Sequence, residues 1–507
     1  MPFRDQASFS QPSYTLPALP LVEMMAQSSN VIINGGIFNS GQGDVHIHNR
    51  DSESGMHNFG TVQKSILIKY NEGLHILRLG VSLGAIHDSA ERSPPPNCHP
   101  DTRKAVRQII LEWIRSQSLT SFFFWLYGPA GAGKTAILQA IAELLCSPSE
   151  PSWNFGGSFF FSRGNTGRDQ GHFLFSTIAY QLALKVLGLR QHLNRIMESD
   201  PTLHTKSMDV QLRTLIVDAF QNLSPLPQRP YLVIIDGLDE CHDKAAQQSI
   251  LRLLCESITV HKLPLRFLIG SRPESHIRAS FDQESLYTIT HRVVLDEKFN
   301  PGRDIRVFLQ DGFAKICADN SILSHVEQPW PREGIIDLLV QRSSGQFIYA
   351  ATVLKFVGAD FCSPTKQLAL VLKPDPTAFS DLDHLYTQIL SVYPSAVNIV
   401  QVLGIIIAFN NNDLPEVIED ILQMEEGELK LVLRGLSSLL KHENNENRKS
   451  LNKGVIPYVI PHFTHASFHD YLFNSSRSGP FHVNQQEYEN QLTIRGFACI
   501  LQFVLSR

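Results

Sequence analysis

The sequence lacks most of what would mark it as secreted, membrane-spanning or nucleic-acid-bound. Its seven cysteines (98, 146, 241, 255, 317, 362 and 499) are odd in number and scattered, with no CxxC pair. That pattern argues against a disulfide framework or a cysteine-ligated zinc site and suits a reducing cytosol. An excess of basic charge is also missing: 44 Lys and Arg stand against 49 Asp and Glu, a net charge of -5. Composition therefore makes no electrostatic case for nucleic acid or an anionic membrane surface, and nucleic acid is not expected among the partners. No apolar run is long enough to span a bilayer, and Met1 to Pro12 lack a basic stretch followed by an apolar one. Membrane insertion and secretion are not expected, and a cytoplasmic location is. No internal repeat of roughly 20–50 residues recurs, which sets solenoids and propellers aside.

What the sequence does contain is ordinary globular composition, 43% hydrophobic and 18% charged over 507 residues, with room for about three to four domains. Its most specific feature is Gly128-Pro129-Ala130-Gly131-Ala132-Gly133-Lys134-Thr135, which follows the apolar run Phe122 to Tyr127 and fits GxxxxGK[ST] at every fixed position. Glycines at this spacing let backbone N–H groups curl around phosphate oxygens. Lys134 then reaches the terminal phosphates and the Thr135 hydroxyl reaches Mg²⁺, with Ala136 continuing the helix. Further apolar runs at Gly156–Ser162, Tyr231–Ile235 and Leu265–Gly270, separated by helical patterns, predict an α/β fold with a doubly wound parallel sheet. The helix expected over Asp101–Gln117 packs on that sheet, with Trp113 read as core. After about residue 290 the strands thin out and helical patterns take over. Three helices between about 395 and 440, a polar loop over Lys441–Lys453 and a β-prone Val455–Phe463 outline a winged-helix-like module. It carries no basic recognition stripe, so DNA contact is not expected.

The leader, residues 1–64, is rich in Ser, Asn, Gly and Gln, except for the β-prone runs Val31–Asn39 and Asp44–Asn49, which read as a hairpin or arch. Two readings stay open: a short signalling motif that pairs edge to edge, or a flexible leader. His46 and His48 share a strand face but have no third ligand in view, so metal is not expected there.

At the carboxyl ends of the predicted strands stand the remaining candidates. Asp236 is where a carboxylate holds Mg²⁺ against Thr135. Glu240 is the choice for orienting the attacking water or accepting its proton, with Asp239 holding metal or polarising the site. Arg272 is placed to meet the γ-phosphate, or else makes a surface salt bridge.

Together GPAGAGKTA (128–136), LVIIDGLDE (232–240) and FLIGSRPE (267–274) resemble the NACHT domain of the STAND-class signal-transducing P-loop NTPases, close to the fungal NLR-like, nephrocystin-3-like N-terminal branch. The pieces GAIHDSAERSPPPNCHPDTR (84–103), SFFFSR (158–163), GQFIYAATVLKF (345–356) and LDHLYTQIL (382–390) look like that branch too. The resemblance implies a switch with ATP or GTP and Mg²⁺ as ligands, closed with diphosphate, and open and self-associating with triphosphate. It also points to His465, within FTHASFHDYL (463–472), as a histidine that touches the β-phosphate. Gly345-Gln346-Phe347 lacks the proline that related switches carry near the base, and the usual C-terminal sensor repeats are not seen.

The expected organisation is a mostly irregular leader (1–64), a connector (65–100), a NACHT NTPase domain (101–285), a helical domain (286–380), a winged-helix-like domain (381–480) and the start of a further helix (481–507). The expected function is an intracellular signalling switch with slow hydrolysis, acting in non-self recognition or regulated cell death, with a protein partner engaged through the N-terminal segment. The alternative is a nucleotide-holding scaffold with negligible turnover.

Overall fold

The computed structural model describes residues 31–33, 36–38 and 47–48. From 72 to 484 it describes all but 117–119, 148–153, 360–361, 374–379, 393–395, 409–418, 420–421, 423, 426, 445–458 and 464. The middle one of the three helices expected between about 395 and 440 and the expected final helix therefore lie largely outside the described residues.

The chain divides into two units, Met1–Asn71 and Glu72–Arg507. In the first, β1 (Val31–Ile33), β2 (Gly36–Phe38) and β3 (Ile47–His48) pair antiparallel in sequence order. Val31 faces Phe38 and Ile33 faces Gly36, leaving between the strands Asn34-Gly35, a dipeptide that two-residue hairpins favour.

The second unit is built on β4 (Phe123–Tyr127), β5 (Phe155–Phe160), β6 (Tyr231–Asp236), β7 (Leu265–Ser271) and β8 (Thr290–Val294), all parallel in the order β5-β6-β7-β4-β8. Period-two alternation splits each strand between two apolar layers. Phe123, Trp125, Val233, Ile235, Phe267 and Ile269 face one core, and Phe124, Leu126, Leu232, Ile234 and Leu268 face the other. The first layer is covered by α1 (Glu72–Arg78), α4 (Phe173–Lys185), α5 (Leu187–Ser199) and α6 (Lys244–Thr259). Helices α2 (Lys104–Arg115) and α3 (Lys134–Cys146) cover the second. There Trp113 packs edge-on against Phe124 at 5.3 Å, so it belongs to the core.

Two strands depart from the sequence reading. β8 lies in a region expected to hold only helices: its segment, Thr-His-Arg-Val-Val, is polar at its start and half-buried, because it closes the edge of the sheet. The polar segment expected as a loop from Lys441 begins as β9 (Leu440–Asn444), which pairs antiparallel with β10 (Val459–Phe463). A charged strand of this kind suits a two-stranded ribbon.

The helices α7 (Pro301–Asp319), α8 (Glu333–Ser343), α9 (Phe347–Val357), α10 (Asp381–Ser391), α11 (Ala396–Ala408) and α12 (Glu428–Gly435) follow, with α13 (Ala466–Leu472) after the ribbon. Ile305, Val353, Leu385, Leu403, Phe468 and Val483 belong to one apolar cluster. The segments 286–380 and 381–480 thus share a core. Among the described residues no helix is long and apolar enough to cross a membrane.

Candidate functional site

The glycine loop runs from the end of β4 into α3. Gly131 and Gly133 have φ of 73° and 91°, backbone that residues with a Cβ adopt only under strain. Lys134, at the first turn of α3, folds back so that Nζ donates to the carbonyls of Gly128 and Pro129, both at 2.8 Å. Burial lowers its pKa, against the pull of Asp239 and Asp236.

The last residue of β6, Asp236, is 2% exposed. Its carboxylate accepts a hydrogen bond from the Thr135 side chain, and burial pushes its pKa up to about 6. Oδ1 is buried without a hydrogen-bond partner. Room for it comes from Gly270 on β7: a Cβ there would lie 2.5 Å from Asp236 Oδ1 and 2.5 Å from a Leu138 methyl. A carboxylate oxygen in this state, next to a hydroxyl at the head of a phosphate-type loop, fits the donor set that magnesium takes. Thr135 and Asp236 are the residues that would hold it.

Beyond β6 a 3₁₀ turn, Leu238–Glu240, carries the next two acids. Asp239 is buried and turned to Arg272 at the end of β7: the Arg272 backbone N–H donates to Oδ1 at 2.9 Å, and Nε lies 3.2 Å from Oδ2. Glu240 is half-buried, and its pKa rises to about 7 through burial and then the neighbouring Asp239 charge. Its Oε2 accepts from the backbone N–H of Arg163 at 3.2 Å.

Arg272 is no isolated surface group. Its Nη1 donates to Asp470 Oδ2 at 2.5 Å, and Arg163 Nη1 donates to Asp470 Oδ1 at 2.8 Å, while Arg163 Nη2 reaches the Asp239 carbonyl at 3.0 Å. Asp470 lies in α13, brought from about 200 residues beyond β7. His465 caps the start of that helix. Its Nδ1 accepts from the Ser467 backbone N–H at 3.0 Å, which leaves the proton of the neutral ring on Nε2. Burial, then the Arg272 and Lys134 charges, lower its pKa to about 3. Helix α13 is tied to α10 by Tyr386 OH to Ser467 Oγ at 2.8 Å and by Thr387 to Tyr471 OH at 2.7 Å.

The candidates Lys134, Thr135, Asp236, Asp239, Glu240, Arg272 and His465 therefore gather at one end of the sheet. The sequence reading missed four cations and acids around them. Arg163 and Asp470 lie inside segments it quoted but had no assigned role. Arg103, 4% exposed, donates to the Ala132 carbonyl of the glycine loop at 2.8 Å and lies over the Phe347 ring. Arg92, 5% exposed, sits over Phe160 and donates to Gln139 Oε1 of α3 at 2.8 Å.

The family model for the nephrocystin 3 N-terminal region matches residues 106–272, about a third of the chain, from α2 to Arg272. Strand, glycine loop, helix and strand-end carboxylate within this stretch make a P-loop NTPase-type fold. No curated protein matches the chain. Among solved structures, the Orc1 protein of Aeropyrum pernix in complex with DNA is similar at 13% identity over 79% of this chain and 96% of that one, with a TM-score of 0.34. Cdc6p of Pyrobaculum aerophilum gives 12% identity over 69% and 90%, TM-score 0.34. Drosophila ORC bound to DNA gives 12% identity over 79% and 90%, TM-score 0.31. Likeness this distant carries no functional argument. Two of these three structures, Orc1 and Drosophila ORC, hold DNA, and the expectation drawn from net charge that nucleic acid is not among the partners is withdrawn.

Proposed function

We propose that the chain is a nucleotide-dependent signalling switch of the NACHT type. It binds ATP or GTP with Mg²⁺ at Gly128–Ala136 and hydrolyses it slowly. The observation that carries this reading is Asp236, with its buried, unpartnered Oδ1 and its hydrogen bond from Thr135 at the head of the glycine loop. Bound magnesium would supply charge neutralisation between phosphate oxygens. Lys134 neutralises the terminal phosphates, Glu240 orients or deprotonates the attacking water, and Arg272 reads the γ-phosphate.

The C-terminal helices, a winged-helix-like module in this reading, close over the site through α13, with His465 donating from Nε2 to the diphosphate. Release of α13 opens the molecule to self-association, and the β1–β3 unit passes the signal to a protein partner by strand pairing. This is the behaviour of fungal NLR-like proteins in non-self recognition and regulated cell death.

Equilibrium titration of the full chain with fluorescent Mg-nucleotides tests the site. The parent binds and Lys134→Ala does not; undiminished binding in that variant would falsify the assignment.

A further inference from the structure

The contact between α13 and the sheet has an unusual form. A single carboxylate, that of Asp470, bridges two guanidinium groups that both belong to the sheet side, one on the loop after β5 and one at the end of β7. Each arginine is also held independently of Asp470. Arg163 is fixed through its backbone N–H on Glu240 and its Nη2 on the Asp239 carbonyl. Arg272 is fixed through its backbone N–H and Nε on the Asp239 carboxylate. The two cations therefore keep their places when α13 leaves, facing one another across the space of one small anion. Asp239 answers the charge of Arg272 alone, so the pair still favours an anion between its two forks, beside Glu240 and within electrostatic reach of Lys134.

We propose that Arg163 and Arg272 form a two-arginine receptor for the terminal phosphate of a nucleoside triphosphate, and that the Asp470 carboxylate is its built-in competitor. The proposal rests on the nucleotide-binding reading of Gly128–Thr135. It adds a residue, Arg163, and a rule: terminal phosphate and α13 use the same two guanidiniums, whereas a diphosphate leaves them to Asp470. A phosphoryl group offers three oxygens to the two forks where a carboxylate offers two, so the exchange favours the triphosphate once it is bound.

The test is the ratio of triphosphate to diphosphate affinity in the full chain. Non-hydrolysable Mg-triphosphate and Mg-diphosphate of the adenine and guanine series are titrated into the parent, Arg163→Gln, Asp470→Asn and the double variant. Arg163→Gln lowers the ratio about tenfold with diphosphate affinity unchanged, Asp470→Asn raises it about tenfold, and the double variant loses the gain. Arg163 is 33% exposed, so its substitution leaves the fold intact and decides the matter alone if Asp470→Asn does not fold. An unchanged ratio in Arg163→Gln, with diphosphate still bound as in the parent, overturns the proposal and spares the nucleotide reading. A parent that binds neither nucleotide overturns both.

Discussion

The two sides of the site are built by different physics. On the sheet side, Asp236 and Arg272 end strands that are hydrogen-bonded to neighbours in register and sandwiched between two apolar layers. On the C-terminal side, α13 belongs to a separate apolar cluster, and its described contacts with the sheet are ion pairs from one residue, Asp470. Ion pairs are salt-sensitive and geometrically exact, whereas apolar layers are tolerant of small displacements. The glycine loop thus rests on apolar layers, while α13 meets the sheet through charge.

The largest expected effect comes from breaking the rigid side. Gly270→Ala drives a methyl into Asp236 and Leu138 and should lower unfolding free energy by about 3 kcal/mol, read from the denaturant midpoint. Next, Glu240→Gln should slow single-turnover hydrolysis about 100-fold with Mg-nucleotide affinity retained; equal rates in both proteins would favour the scaffold alternative.

On the lid side, Asp383 is buried and takes both Nε and Nη2 of Arg477, at 3.0 and 2.6 Å. Asp383→Ala should cost about 2 kcal/mol and raise hydrogen exchange in α10 and α13 while the sheet stays protected. If exchange in the sheet rises equally, the two sides are one cooperative unit and the contrast fails.

The effect that is smallest near neutral pH is a pH slope. His469, stacked on Phe473, has its pKa lowered to about 4 by burial first and by Arg163 and Arg272, against Asp470. Its folded value lies below the ordinary one near 6.5, so the unfolded chain takes up a proton that the fold refuses. Stability attributable to His469 is thus complete above about pH 6.5 and declines as pH falls toward 4, by at most about 1.4 kcal/mol per pH unit. His469→Phe keeps the ring packing, and its stability curve should be flatter than the parent's over that window.

Much of the sheet side was legible because its signals are local. The glycine spacing, the apolar run ending at Asp236 and the run ending at Arg272 each sit within about ten residues and carry their own physical reason. The edge strand β8 was not, since a strand buried on one edge needs few apolar residues. Arg163 and Asp470, 307 residues apart in sequence, show the deeper limit. Either residue alone reads as a solvated charge, and only the fold makes them a pair. Arg92 was hidden in a proline-rich connector, and Arg103 at the cap of an expected helix, two settings whose composition gave no reason to expect buried cations.

The order of the sheet bears on how the chain leaves the ribosome. β4 is the first of its five strands to be made, yet both of its hydrogen-bonding neighbours, β7 and β8, start at Leu265 or later. At about 5–20 residues per second, the run Phe123–Leu126 waits roughly 7–28 s for a partner strand to begin. During that interval it is an unpaired apolar template of the kind that aggregates or recruits holdase chaperones. The strand that launches the glycine loop is therefore the most exposed during synthesis, and translation speed between β4 and β7 becomes a determinant of yield.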